Sequence, residues 1–160
     1  MLKRESANGG LEALSVKIKS LEGINTKVGW KESSVYESGE KVAMIASENE
    51  EGDISKNRPP RPFMRNAVIK NKNKWLKIGG IESLKVLKGE KTIKEASEVI
   101  GIIAEADCRQ SIVDFTNPAL SPSTIKARLS KRSNKKKVGL LTKPLEDSGY
   151  MLATLTHTTD

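Results

Sequence analysis

Cysteine and histidine each occur once in this sequence, as Cys108 and His157, and aromatic residues make up only 4% of it. A single cysteine excludes an intramolecular disulfide and a cysteine zinc site. A single histidine leaves any Ser-His-Asp or Cys-His arrangement with one candidate base, and at a frayed C-terminal end His157 is expected to be a surface residue. Long apolar runs are missing as well. The longest, VIGIIAEA at 99–106, is broken by Glu105, so no membrane span is expected. MLKRESANGG at the start has two basic residues but no apolar stretch and no cleavage site, so no secretory signal is expected, and synthesis in the cytoplasm is. Neither a G-x-x-x-x-G-K-[ST] phosphate loop nor a G-x-S-x-G nucleophile elbow occurs. Glu48, Glu50, Glu51 and Asp53 cluster without the histidine or further aspartate a metal would need, and read as a solvated helix end. No catalytic residue, metal or cofactor is expected.

What the chain does have is charge, and it is localised. Lys and Arg total 28 against 20 acids, giving +8. The segment 126–143, KARLSKRSNKKKVGLLTK, holds eight basic residues and no acid, so the remainder balances at 20 against 20. The basicity is therefore a local device: a solvated loop tip, or a contact with a polyanion by phosphate attraction. With no aromatic inside the segment, base stacking has no platform there. At 36% apolar residues a core can form but is modest, which suits a chain that associates with copies or neighbours.

Periodicity organises the rest. Leu11, Leu14, Ile18 and Leu21 form one narrow stripe, with Gly9-Gly10 before and Gly23 after, which predicts a helix over 9–22. INTKVGW at 24–30 alternates and predicts a strand in which Trp30 is read as core; KESSVYESGE then reads as a turn or irregular hairpin return. A helix runs from Val42 to a stop at Gly52. NRPPRPFMRNA, at 57–67, reads as a fixed corner, since proline removes backbone freedom and Phe63 and Met64 lead directly into an amphipathic helix. In that helix Met64, Val68, Trp75, Ile78, Leu84 and Leu87 recur at helical spacing, and Gly79-Gly80 is expected to kink or divide it. Thr92 and Glu95 form a capping box before the strongest helix, which ends near Phe115 and Asn117-Pro118. Ser121-Pro122 starts a short helix to Ala127 or Leu129. YMLATLTHT at 150–158 alternates as a strand and is expected to pair with the first one. The fold class that follows is α+β: a small antiparallel sheet packed by helices, with a long helical middle and a protruding basic loop. The chain reads as a single domain, 1–160, with a helix at 9–22, a body at 24–118 and 143–160, and an arm at 126–142.

The order of motifs adds to this. VGW at 28–30, Tyr36 and Gly39, VAMIASENEEG at 42–52, PPRPFMR at 59–65, Arg109-Gln110-Ser111-Ile112, LSPSTIKAR at 120–128 and KPLEDSGYMLATLTH at 143–157 follow one another. In this order they resemble tail-completion or minor tail (neck) proteins of long-tailed bacteriophages, over roughly residues 24–158. The resemblance implies a non-enzymatic virion protein that forms a ring, commonly of six copies, at the junction between head connector and tail. DNA passes through the lumen. Partners would be copies of the chain, head-connector or stopper proteins, and tail-terminator or tail-tube proteins; the location would be the virion neck, after assembly in the host cytoplasm. On that reading Arg61, Phe63 and Arg65 present side chains from the corner, and Lys143, Pro144, Leu145, Asp147 and Gly149 form a second fixed turn at an interface. Lys131, Arg132, Lys135, Lys136 and Lys137 are candidate contacts to a neighbouring protein or to packaged DNA. The alternatives are a non-specific nucleic-acid-binding module using 126–143 and the lysines at 70, 72, 74 and 77, and a small enzyme, for which no reactive constellation is present.

Overall fold

Two long helices lying side by side carry the rest of the chain in the computed structural model, which describes residues 5–22, 26–132 and 142–159. In chain order the elements are α1 (Glu5–Ser20), β1 (Thr26–Trp30), α2 (Val42–Glu51), α3 (Phe63–Leu87), α4 (Ile93–Asp114), α5 (Pro122–Arg132), α6 (Tyr150–Thr154) and β2 (Leu155–Thr159). The fold is α+β. No helix among the described residues is long and apolar enough to cross a membrane.

The helices α3 and α4 run antiparallel, because their contacts rise along one as they fall along the other. Ser111 Oγ donates to the Phe63 carbonyl at 2.7 Å, and Lys74 Nζ and Trp75 Nε1 both donate to the Asp107 carboxylate. The short connection of 88–92 closes this helical hairpin. The capping box at the start of α4 forms as predicted: Thr92 Oγ1 accepts from the Glu95 N–H while the Glu95 carboxylate accepts from the Thr92 N–H.

Gly79-Gly80 neither ends nor divides α3, which continues unbroken to Leu87. Gly79 faces α4, where a Cβ would meet Ile100 Cδ1 at an ordinary 3.7 Å; packing along the hairpin outweighs a propensity cost of about 1 kcal/mol per glycine. The glycines at 9 and 10 likewise lie inside α1, so that helix begins at Glu5, four residues before the predicted start.

The strands β1 and β2 pair antiparallel, with Thr26 opposite Thr159 and Trp30 opposite Leu155, and the pair lies against α4. Thus the chain's first and last strands meet, as their alternation predicted. Beyond β1, residues 31–40 form a tight return closed by the Val35–Lys41 bridge, with Gly39 at its turn. The core lies where these layers converge: Val42 and Ala46 of α2, Phe63 and Ala67 of α3, Cys108 and Ile112 of α4, then Phe115, Met151 and Leu155. Trp30 packs edge-on to Phe63, 6.2 Å between ring centres, and its indole N–H donates to the Met151 carbonyl at 2.8 Å.

One predicted strand is half helix. Residues 150–154 form the turn α6, and only 155–159 are extended. Met151 and Leu155 are both buried, and a spacing of four serves a helical turn as well as alternation does. Two contacts decide the outcome. Gly149 takes a left-handed conformation (φ 73°) that turns the chain into the helix, and Arg109 donates to the carbonyls of Leu152 and Leu155.

Candidate functional site

The proline corner begins at the end of α2. Gly52 has φ 75°, and a Cβ there would stand 2.6 Å from the Pro60 nitrogen, so only glycine lets the chain fold back against the prolines. Asp53 and Arg58 then pair backbone to backbone, and the Asp53 carboxylate accepts from the Ser55 and Lys56 N–H groups and the Ser55 hydroxyl. Hydrogen bonds from Ser55 and Lys56 hold Asp53 down to about 2.

Pro62, at the N-cap of α3, offers no side-chain acceptor. Glu50 supplies it from α2: its carboxylate accepts from the Met64 N–H at 2.9 Å and the Arg65 N–H at 3.0 Å. The acidic cluster is therefore not simply a solvated helix end. Glu50 caps the next helix and fixes the angle of the corner, a role carried by a residue that no sequence pattern near α3 announces.

The predicted interface residues fall into three groups. Phe63 is fully enclosed in the core and Pro144 is buried, so neither presents a side chain to a partner. Arg65 is exposed but already paired, Nε to Glu50 at 3.3 Å and Nη2 to Glu51 at 2.6 Å. Lys143 lies 3.1 Å from Glu146, Leu145 takes φ 65° and packs on the core, and Gly149 turns into α6; Asp147 stays half-exposed. The 143–149 segment is thus a turn whose contacts are mostly internal.

Arg61 stands out. It is 9% exposed, and its Nε is buried without a hydrogen-bond partner among the described residues. Burial first, then the charges of Arg128 and Arg58, push its pKa below the ordinary arginine value. Arg128, which the sequence showed only as one of many basic residues, ties α5 to the second turn. From α5 it donates to the Lys143 carbonyl at 2.8 Å and lies 3.5 Å from Asp147. In the sequence the signal for it is its place three residues after Ile125, on the same face of α5. Tyr36 and Tyr150 close the far side with ring centres 5.4 Å apart; burial, then the nearby Asp147, raises the Tyr36 phenol.

Lys131 and Arg132 end α5, and Lys135, Lys136 and Lys137 lie outside the described residues. Of the lysines at 70, 72, 74 and 77, Lys74 is paired with Asp107 at 2.7 Å and Lys70 sits 3.9 Å from Asp114. Half of that row is therefore partly neutralised within the chain.

His157 is not a surface residue at a frayed end. It sits inside β2, facing α4, with Nδ1 2.6 Å from Glu105 and Nε2 3.1 Å from Glu98. Its ring lies over Gly101, the only residue type there that leaves room for it. The hydrogen bond to Glu105, then that to Glu98, raises its pKa above the ordinary 6.5. Cys108 is buried in the core, and burial, followed by the charge of Asp107, pushes its thiol up to about 11. Among the described residues no group of three or more His, Cys, Asp or Glu side chains is placed to hold a metal. Comparison with family models, with curated proteins and with solved structures gave no match.

Proposed function

We propose that this chain is a structural virion protein, a ring-forming tail-completion or neck subunit joining a phage head connector to the tail, with DNA passing through the lumen. Its order of motifs supports the class, and one structural observation carries the association. Large apolar side chains on α1 and α3 stand in water: Leu11 and Val16 are 66% exposed, Ile69 70% and Leu76 73%. With two glycines in its interior, α1 cannot be held by helix propensity, and it touches the body near the end of α3, where Lys17 donates to the Leu87 carbonyl at 3.3 Å.

Nine such residues on the two helices, Leu14, Ile18, Val68, Ile81 and Leu84 included, leave on the order of 100 Å² each, or roughly 900 Å² of apolar surface. A stable association buries roughly 800 Å² per partner, so this surface is enough for one. Copies of the chain and the proteins above and below it in the stack are the partners on this reading, and the virion neck is the location.

Lysates made without this protein are expected to hold filled heads and separate tails. Normal yields of infectious particles in its absence would reject the proposal.

A further inference from the structure

A guanidinium cannot shed its proton at physiological pH, so a buried arginine needs a counter-charge or suffers a desolvation penalty. Arg61 has none. Its Nε is buried without an acceptor, no described acid pairs with it, and the nearest charges acting on it are two further arginines, Arg128 and Arg58. Those two are already engaged, Arg128 near Asp147 at 3.5 Å and Arg58 with Glu48 at 3.3 Å. Arg61, the most buried of these three positive groups, thus feels the charge of the other two and has no partner among the described residues. A methionine would fill similar volume there without the charge.

We propose that Arg61, with Arg128 and Arg58 beside it, is a binding site for a single carboxylate, an Asp or Glu side chain presented by a neighbouring protein subunit. The planar fork of arginine matches a carboxylate in a bidentate pair. A nucleic-acid backbone is the poorer ligand, because the Glu48 and Asp147 carboxylates beside Arg58 and Arg128 repel a continuous row of phosphates. The identity of the subunit rests on the virion reading; the site itself does not.

The unpaired charge gives two measurements of opposite sign. Arg61→Met in the full chain is expected to raise the melting temperature of the isolated protein by about 2–4 °C, since it removes a buried charge with no partner. In the unaltered protein, the Arg61 Nε–Hε resonance, assigned by its loss in Arg61→Met, is expected to move saturably on titration with sodium acetate. Sodium chloride at equal ionic strength should leave it in place. A lowered melting temperature in Arg61→Met would overturn the proposal by showing that the guanidinium has an internal partner. So would a resonance indifferent to acetate, or one that moves with a short DNA duplex and not with acetate. None of these outcomes bears on the head-and-tail phenotype of lysates lacking the protein, so the two readings fail separately.

Discussion

Replacing Gly101 by alanine tests how β2 is held on α4. A Cβ at this position would overlap the His157 ring, standing 3.0 Å from Cγ and 3.1 Å from Nε2, so the imidazole must leave its place between Glu105 and Glu98. The charge-assisted bond to the mostly buried Glu105 is worth about 1.5–3 kcal/mol. The bond to Glu98, whose side chain is 49% exposed, adds only about 0–1 kcal/mol. Against this, Gly→Ala inside a helix gains about 0.8–1 kcal/mol. The substitution should therefore destabilise the protein by about 1–3 kcal/mol. In a His157→Ala background the obstacle is gone and only the propensity gain remains, so the same substitution should stabilise by about 0.5–1 kcal/mol. Urea unfolding of the four proteins gives the coupling directly. An equal cost in both backgrounds, or no cost in the first, would refute the placement of the ring over Gly101.

The same histidine sets a pH dependence. Its folded pKa is raised, so its contribution is complete below 6.5 and is lost as pH climbs through the folded value; unfolding midpoints should fall from about pH 6.5 upward, and His157→Gln should flatten that decline. Glu105 has the opposite sign. Burial opposes its ionisation, but hydrogen bonds from His157 and Arg109 outweigh this and lower its pKa, so its contribution fades as pH drops below the ordinary 4.5. Glu50→Ala removes the acceptor at the start of α3 and should cost about 1–2 kcal/mol, with hydrogen exchange rising first at the Met64 and Arg65 amides. Unchanged protection at those two amides would reject the capping role.

Features written in adjacent residues were legible in the sequence. Thr92 and Glu95 satisfy each other within one turn, Gly52 stops α2, and the alternation around Val28 and Trp30 marks β1. Features that depend on distant partners were not. Residues 150–154 carry a pattern that suits strand or helix, and Arg109, some 43 positions earlier, settles it by binding the carbonyls at the end of the turn. His157 looked terminal and free because Glu98 and Glu105, on another element, do not appear in its neighbourhood. Phe63 and Arg61 sit two residues apart in a segment whose stiffness was plain. Which of them faces inward depends on α2, α4 and α5, and both turned out to be covered.

The one thiol has a consequence for experiment. Cys108 lies in the core with Phe63 and Ile112, and with its pKa near 11 only about one molecule in ten thousand is a thiolate at pH 7. Alkylating reagents can reach it only when the core around it opens, and no second cysteine competes for the label. The rate of its modification is therefore a clock for that opening, read from a single mass shift. A neighbouring subunit that clamps the helical hairpin would slow the clock without any probe being added to the protein.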